Sequence, residues 1–378
     1  MSCEAVAAGS PNRLTPQAGA LLRVVLVGCG KAGENHVREI RTLSGAAIVA
    51  VCDREPLMAE QLALRHGIGK WFSDVDAMLD AERPDIVHIA TPPPSHLPLA
   101  TRAICAGCHV FVEKPLTLCH ADSQQLVASA IVRNRKLTIG YGFYFDPIAR
   151  TLRRLIAEGA LGEPVHIESV LGYALSGPFG SCVLADDDHW VHRLPGKLAH
   201  NLIDHLLNKV AEFMSDRPTV QARACRRADD THPASHLLNE LRVMLFDQDR
   251  SAYVTLTSHA RPVAHLLTVY GTKRTARLDF EAGTIIWSSP AALPGPLGRL
   301  SCIFGDGIQC FREGTQNVLR CVRGDYHTLS GLNFLINAFY ESIRNDTPVP
   351  VSYHEILKVA AISDAVFAQL GTEHSRVA

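Results

Sequence analysis

The chain has 378 residues, of which 47% are hydrophobic and 20% charged, and its formal net charge is −1. This is an ordinary globular composition, and the length indicates about two domains around a sizeable apolar core. A charge this close to zero argues against nucleic acid and against an anionic membrane as partners.

The sequence contains no segment typical of a membrane protein or of a secreted, disulfide-rich protein. No apolar run reaches the roughly 18 residues of a membrane span. Residues 1–20 are rich in Ala, Gly, Pro and Ser, do not resemble a signal peptide, and are expected to be a disordered tail. The 11 cysteines are scattered and odd in number, which indicates reduced thiols and a cytoplasmic protein. Cys105 and Cys108 form an isolated CxxC without a second pair, so no metal is expected.

In the first half of the chain, strands and helices alternate. Strands are predicted at 22–28, 46–53, 85–92, 109–115 and 137–143. Helices are predicted at 33–43, 55–67, 94–107 and 120–134. Such alternation implies parallel pairing with helices on both faces of the sheet. Residues 21–146 are therefore predicted to form a doubly wound α/β domain of the Rossmann type.

The second half, residues 147–378, is predicted to be an α+β domain. Its strands, joined by short polar turns, are expected to form a large open, mostly antiparallel sheet. These strands are predicted at 163–174, 251–260, 264–271, 275–280 and 284–289. Helices are predicted at 147–161, about 197–215, 331–345 and 352–370.

A GxGxxG motif, formed by Gly28, Gly30 and Gly33, joins the first strand to the first helix. In this context Gly28 allows the tight turn, Gly30 lets a pyrophosphate approach the backbone, and Gly33 lets the helix pack closely on the sheet. The helix N-terminus, with Lys31 and Ala32, favours the anion. The motif predicts a dinucleotide site.

Asp53, at the end of the second strand and about 20 residues past Gly33, bears on the choice of dinucleotide. A carboxylate at this place can accept both ribose hydroxyls of NAD and would repel a 2′-phosphate. NAD is therefore the predicted cofactor. The neighbouring Arg54 can accept a phosphate, which keeps NADP as the alternative.

The segment "VFVEKPLT" (110–117) ends a strand with Glu113, Lys114 and Pro115. Ligands of open parallel sheets bind beyond the carboxyl ends of the strands, where Lys114 is predicted to lie. A lysine beside a nicotinamide could hold a substrate oxygen and stabilise a developing alkoxide. The alternative is an ordinary surface lysine.

Together these features resemble the glucose–fructose oxidoreductase/inositol dehydrogenase family, Gfo/Idh/MocA. The resemblance rests on the glycine motif, Asp53, "ATPPPSH" (90–96), the EKP triplet (113–115) and the open sheet that follows. It covers about residues 22–370, is strongest over the first 120 residues of that span, and is most specific at EKP. It implies cofactor-side positions for Thr91, Pro92, His96 and Glu113. For His96 the alternative is a helix-start histidine with an ordinary hydrogen bond.

A second family signature is a helix that reads roughly Gly-Gly-x-x-x-Asp-x-x-x-His. In "GKLAHNLIDHLLNKV" (196–210), matching Gly196 to the first glycine puts Asn201 at the Asp position and His205 at the His position. A histidine can act as general acid/base near neutral pH, whereas Asn201 can only hydrogen-bond. An alternative register uses His200 and Asp204. Histidines that merely pack or cap the helix are the structural alternative.

The candidate substrate residues lie in two further segments. In "GYGFYFDP" (140–147), Gly142 and Tyr144 stand where the family commonly has Asn and Arg, which alters the expected floor of the substrate pocket. Residues 186–196 are a candidate lid, in which Trp190 could stack on a sugar ring and His192 and Arg193 could reach hydroxyl or phosphate oxygens. An exposed loop is the alternative for this segment.

The predicted function is that of an NAD-dependent dehydrogenase acting on the CH–OH group of a sugar, cyclitol or nucleotide sugar. Lys114 would orient the hydroxyl, His205 would take the proton, and Asn201 would position the substrate. Two other functions stay open: an NAD-binding sensor without catalysis, and an NAD-dependent lyase or glycosidase with transient oxidation. The open sheet face is expected to be apolar and to form a homodimer or homotetramer.

Overall fold

The structure is a computed structural model that describes residues 21–225, 240–291, 294–323 and 329–374. The predicted tail at 1–20 lies outside the described residues. The chain divides into two compact units. The first comprises the described residues up to Gly142 together with Gly331–Ala360, and the second comprises Phe143–Ser330 together with the described residues from Ala361 onward. Residues 331–360, which the sequence-based division counted with the second domain, thus belong to the first compact unit.

The first unit is built on a six-stranded sheet in which every pairing is parallel. Its strands are β1 (Leu22–Val27), β2 (Ala46–Cys52), β3 (Trp71–Phe72), β4 (Ile86–Ile89), β5 (His109–Val112) and β6 (Leu137–Ile139). Their order is β3-β2-β1-β4-β5-β6, which is the Rossmann order with β1 and β4 adjacent at the switch point. All residues of β4, β5 and β6 are buried, as expected for a parallel sheet covered on both faces.

The α-helices of the described residues follow in chain order. They are α1 (Lys31–Arg41), α2 (Pro56–His66), α3 (Val75–Glu82), α4 (His96–Cys105), α5 (His120–Val132), α6 (Pro147–Ala157), α7 (Pro178–Ala185), α8 (Lys197–Leu202), α9 (Asp204–Ala211), α10 (Gly295–Val322), α11 (Ser330–Arg344) and α12 (Tyr353–His374).

Helix α11 packs in the first unit although it is distant in sequence. Its Phe339 and Tyr340 are buried. Its Arg344 donates from Nη2 to the carbonyl oxygen of Gly45 at 2.6 Å. These contacts explain why a C-terminal segment is part of the N-terminal compact unit.

The second unit contains a seven-stranded sheet in the order β13-β12-β11-β7-β10-β9-β8. Its strands are β7 (Pro164–Gly172), β8 (Thr219–Cys225), β9 (Glu240–Phe246), β10 (Ser251–Thr257), β11 (His265–Gly271), β12 (Thr275–Asp279) and β13 (Thr284–Ser288). Among these described strands, β7 and β10 pair in parallel, and the other pairings are antiparallel. The predicted α/β class with a large, mostly antiparallel second sheet is confirmed.

The outer face of this sheet is more polar than expected. On β7, Ile167 is fully buried, while His166 and Glu168 point to the other side and are only partly buried. There the ring of His166 lies 2.8 Å from the hydroxyl of Ser251, and Tyr270 donates to Glu168 at 3.0 Å. This face thus carries polar pairs beside partly exposed apolar side chains such as Met244 and Leu266.

Several elements were not predicted from the sequence. They are β3, α3, α7, β8, β9 and α10. The helix expected at about 197–215 is divided at Ile203 into α8 and α9. The expectation of reduced thiols is wrong for Cys105, which is disulfide-bonded, and the neighbouring Cys108 lies with its Sγ 3.2 Å from the Pro84 carbonyl oxygen.

Across the described residues, no helix combines the length and the apolar character needed to cross a membrane.

Candidate functional site

The glycine-rich turn after β1 has the shape that a dinucleotide requires. Gly28 has φ +99°, and a Cβ on it would lie 2.7 Å from the carbonyl carbon and oxygen of Ala90. A Cβ on Gly33 would lie 2.0 Å from the Gly28 carbonyl oxygen. Only glycine fits at position 33, because α1 passes so close to the end of β1. Only glycine fits at position 28, because a Cβ would collide with Ala90 and because residues with side chains avoid this positive φ.

Gly30 differs from the other two glycines, because a Cβ there would have no heavy atom within 4 Å. It is the N-cap of α1, and no side chain caps this end of the helix. Lys31 is exposed and Ala32 partly buried in the first helical turn. The open space beside uncapped helical N–H groups fits the pyrophosphate of a dinucleotide.

Asp53 lies at the end of β2 and contacts the same turn. Its Oδ2 accepts from the backbone N–H of Cys29 at 2.7 Å, and its Oδ1 accepts from the N–H of Glu55 at 3.0 Å. Each carboxylate oxygen keeps a lone pair for a ribose hydroxyl. The side chain of Arg54 is 92% exposed and lies 3.8 Å from the carboxylate of Glu55.

The segment after β4 is tied to the backbone by His96. Its Nδ1 lies 2.8 Å from the carbonyl oxygen of Pro115, and its Nε2 lies 2.8 Å from that of Thr91. The ring is fully buried, and this burial lowers the pKa of His96. Pro92 is exposed, and its carbonyl oxygen accepts from Ser95 at 2.7 Å. His96 thus links the loop after β4 to the loop after β5, and Thr91 and Pro92 line the end of β4.

Glu113 and Lys114 directly follow β5, at the same edge of the sheet. The N–H of Glu113 donates to the Ile89 carbonyl at 2.8 Å, and the N–H of Lys114 donates to Glu113 Oε2 at 3.1 Å. Burial opposes ionisation of Glu113, but the hydrogen bond from His36 and the charge of Lys114 hold its pKa below the ordinary value. A fixed negative carboxylate therefore accompanies Lys114.

A buried chain of hydrogen bonds supports Glu113. His36 Nε2 lies 2.9 Å from Glu113 Oε1, and His36 Nδ1 lies 2.8 Å from His88 Nδ1. His88 Nε2 in turn lies 2.9 Å from the hydroxyl of Tyr340. Because the carboxylate of Glu113 can only accept, His36 donates to it from Nε2, and Tyr340 is the partner of His88 at the other end of the chain.

The sequence interpretation missed His36, His88 and Tyr340, although two of them carried a signal. His36 follows Gly33 by three residues and shares the buried face of α1 with Val37. His88 interrupts an otherwise apolar strand. A polar side chain at a predicted core position requires a partner, and that requirement could have singled out both histidines.

In the second unit, the predicted general base and its neighbour lie on two short helices. Asn201 is buried on α8. His205 is partly buried on α9, with its ring edge-to-face against Phe143 at 5.2 Å. His200, the alternative candidate, stacks on Phe367 at 4.5 Å, and burial lowers its pKa to about 4. His200 therefore faces an aromatic side chain of its own unit, while the ring of His205 retains exposure.

One turn beyond His205 is a fully buried lysine that the sequence interpretation did not consider. Lys209 contacts His265 through Nζ and lies 4.6 Å above the ring of Phe280. Burial lowers the pKa of Lys209 to about 7, against a smaller opposing effect of Asp146. Burial also lowers the pKa of His265 to about 2. This cluster keeps a lysine close to neutral inside the second unit.

Tyr144 is held by two charged side chains rather than left open. The guanidinium carbon of Arg153 lies 3.3 Å from the Tyr144 ring centroid. Arg153 also pairs with Glu212 through two bonds, of 2.8 and 3.2 Å. The ring is therefore one side of a packed cation–π cluster.

The candidate lid is an ordered turn in the described structure. A 3₁₀ turn covers Trp190–Arg193, and the side chain of Val191 within this turn is buried. His192 Nε2 lies 2.8 Å from the Val183 carbonyl, and Arg193 donates to the Asp188 carbonyl at 3.0 Å. The ring of Trp190 lies 5.4 Å from that of His189. Two of the three predicted substrate residues in this segment thus brace the turn itself.

Comparison with known proteins gives one family match. Residues 22–141 match the family described as "Oxidoreductase family, NAD-binding Rossmann fold", GFO_IDH_MocA. D-apiose dehydrogenase of Paraburkholderia graminis is 35% identical over 37% of this chain and 37% of its own length. Inositol 2-dehydrogenase of Ralstonia nicotianae is 26% identical over 59% of this chain and 63% of its own length. The matched part thus spans between about a third and two thirds of these relatives.

Solved structures share the fold over nearly the whole chain. The WlbA dehydrogenase of Bordetella pertussis, in complex with NADH and UDP-GlcNAcA, has a TM-score of 0.74 at 19% identity, covering 96% of this chain and 98% of that one. Levoglucosan dehydrogenase, in complex with NADH and levoglucosan, has a TM-score of 0.74 at 18% identity, covering 93% and 98%. The glycine cradle and the EKP triplet both lie within residues 22–141, so this part of the chain is an NAD-binding Rossmann domain of the kind found in the Gfo/Idh/MocA oxidoreductase family.

Proposed function

We propose that the protein is an NAD-dependent dehydrogenase that oxidises a secondary alcohol of a sugar, cyclitol or nucleotide sugar, or reduces the corresponding ketone. The observation that carries the proposal is Lys114, which follows β5 at the sheet edge that also bears the glycine cradle. Its neighbour Glu113 is held ionised by a buried chain of histidines. The relatives named D-apiose dehydrogenase and inositol 2-dehydrogenase support this substrate class.

NAD, when bound, supplies the hydride acceptor. Gly28, Gly30 and Gly33 with Lys31 and Ala32 would hold the pyrophosphate, and Asp53 the ribose hydroxyls. The ammonium of Lys114 donates a hydrogen bond to the substrate oxygen. It stabilises that oxygen most strongly as negative charge develops on it, which lowers the barrier to proton loss.

We assign proton transfer to His205 and substrate positioning to Asn201. A neutral imidazole can accept the hydroxyl proton near neutral pH, whereas the amide of Asn201 can only donate or accept a hydrogen bond. The exposure that His205 retains favours it over His200, whose low pKa and stacking on Phe367 leave it a packing role. Trp190, His192, Arg193 and Tyr144 remain proposed substrate contacts.

Lys114→Ala tests the proposal directly. NADH formation from NAD is followed at 340 nm with a panel of polyols, free sugars and nucleotide sugars. We expect the variant to lose on the order of a hundredfold or more of kcat on every substrate that the wild type turns over, because a donor to the developing oxyanion is removed. NADH binding, measured by fluorescence, should be unchanged.

His205→Gln is the companion variant, because glutamine keeps a hydrogen-bonding side chain but cannot accept the proton. It should lose kcat and the lower limb of the pH profile while retaining KM. Near-normal turnover in Lys114→Ala would rule out its role. NADH binding without turnover on any alcohol would favour a sensor, and a purified protein that retains its nucleotide but forms no net NADH would favour transient oxidation.

A further inference from the structure

Helix α10 carries its apolar side chains on the side that faces solvent. We call this face the apolar stripe. It runs from Leu297 to Val322 and includes Leu300, Phe304, Ile308, Phe311 and Leu319, all of them exposed. At 100° per residue these positions fall within an arc of about 100°, the width of a face that normally packs on a core.

The opposite side of α10 contacts its own sheet through polar groups. Gln309 accepts from the backbone N–H of Trp287 at 2.9 Å and donates to the Trp287 carbonyl at 2.9 Å. Asn317 donates to the Ala282 carbonyl at 2.8 Å. These bonds satisfy the backbone of Trp287 on edge strand β13 and reach the turn before that strand, but they bury little apolar surface. Helix α10 thus turns its apolar face to solvent and its polar face to the sheet of its own unit.

The helix also needs stabilisation from outside its own backbone. Its interior contains glycines at 298, 305, 307 and 314, and each disfavours the helical state relative to alanine. Most helical stability in proteins comes from packing of an apolar face. The apolar stripe is the face that α10 has available for such packing.

The area of the stripe suits a protein interface. Seven large side chains, exposed by 48% to 80%, present on the order of 700 Å² of apolar surface, close to the roughly 800 Å² that each partner contributes to a standard interface. Monomers seldom expose more than a few hundred Å² of contiguous apolar surface.

The spacing of the stripe identifies the partner as a second copy. The midpoint of the stripe lies between Gln309 and Cys310. When a second helix runs in the opposite direction about this midpoint, Leu297 lies opposite Val322, Leu300 opposite Leu319, and Ile308 opposite Phe311. Phe304 lies opposite Thr315, whose methyl group is apolar, whereas the exposed Ile303 and Val318 lie opposite the polar Gln316 and Ser301 and are not part of the matching set. A stripe that superposes on itself when reversed is what a two-fold symmetric contact requires, because the same surface must face itself.

We propose that the chain forms a homodimer in which two α10 helices pack antiparallel through their apolar stripes. In this arrangement Leu300 of each copy faces Leu319 of the other, so that each dimer contains this pair twice. The contact is independent of the nucleotide site and of the proposed dehydrogenase activity.

The test measures mass in solution by light scattering coupled to size exclusion. We expect the wild type to have twice the mass of one chain, and Leu300→Glu or Leu319→Lys alone to halve it. Leu64→Glu, at a 75% exposed position on α2, is the matched control and should remain dimeric. An equimolar mixture of the two monomeric variants should recover the dimer, because the carboxylate introduced in one chain would face the ammonium introduced in the other.

Recovery in the mixture also shows that both variants are folded, and NADH binding provides a second check on each. A wild type that stays monomeric over the concentration series would overturn the proposal and leave the stripe to a different partner. So would Leu300→Glu that stays dimeric while binding NADH normally. Two monomeric variants that bind NADH but do not associate when mixed would overturn the antiparallel pairing.

Discussion

The hydrogen-bond chain from Tyr340 to Glu113 connects three buried polar side chains to the carboxylate. Burial raises the pKa of Tyr340 well above its ordinary value and lowers that of His88 well below it, so both are neutral. A neutral imidazole has one N–H, and the carboxylate of Glu113 can only accept. The carboxylate therefore requires a proton on His36 Nε2. Tyr340 is the last member of the chain and the hydrogen-bond partner of His88 Nε2.

Tyr340→Phe should lower the free energy of unfolding by about 1–3 kcal/mol, because His88 Nε2 is left buried without its hydrogen-bond partner. Denaturant unfolding measures the change. Tyr270→Phe, which removes a hydroxyl from an exposed side chain, is the control and should change stability by less than about 0.5 kcal/mol. Equal effects of the two substitutions would contradict this account of the chain.

The two edges of the second sheet are closed by the same device, although the elements differ. On α12, Gln369 accepts from the N–H of Ala222 at 2.8 Å and donates to the Val220 carbonyl at 2.7 Å, both on β8. On α10, Gln309 does the same for Trp287 on β13. An unpaired strand edge invites pairing with other chains, and each glutamine satisfies one backbone N–H and one backbone carbonyl of its edge strand.

Gln369→Met should speed amide exchange at Ala222 by about tenfold, because the lost hydrogen bond is worth about 1–1.5 kcal/mol. Gln309→Met should do the same at Trp287. Each variant serves as the control for the other, since its effect should be confined to its own edge. Hydrogen–deuterium exchange followed by mass spectrometry resolves the two strands. Exchange that accelerates at both edges in either variant would indicate general loosening instead.

For the whole chain, the buried Lys209 makes stability depend on pH. Its pKa is about 7 in the folded protein and ordinarily 10.5, so between these values the unfolded chain holds a proton that the folded chain has released. Stability must therefore rise with pH across that window, by up to about 1.4 kcal/mol per pH unit, and lose this contribution as the pH falls to 7.

Lys209→Met should remove this slope, because methionine fills a similar volume without a charge. The two proteins should differ most at pH 7, where the variant is the more stable, and converge above pH 10. Thermal or denaturant unfolding at a series of pH values measures the effect. Lys273→Met, at an exposed position, should keep the wild-type slope. A wild-type stability that stays flat from pH 7 to 10 would contradict the burial of a neutral lysine.

Local patterns in the sequence were sufficient for the alternating strands and helices, the glycine cradle and the EKP triplet. Each of these features can be recognised from residues that are close in sequence. Apolar runs indicate strands, a 3.6-residue period indicates helices, and glycines at a strand–helix junction indicate the cradle. Helix α10 was missed because its five glycines and Pro296 argue against a helix. β8 and β9 were not predicted either, and the structure shows them as neighbours in the second sheet.

The amino-acid sequence alone was enough to indicate a dinucleotide-binding domain and to predict a lysine at its ligand-binding edge, because each motif consists of residues that are close to one another along the chain. Tertiary structure was needed to show that Glu113 ends a buried chain reaching Tyr340, since His88 and Tyr340 are 252 residues apart. It was also needed to show that α10 turns its apolar side outward. Which way a helix faces and which side chain meets which depend on the packing of the whole fold, and no local pattern contains that information.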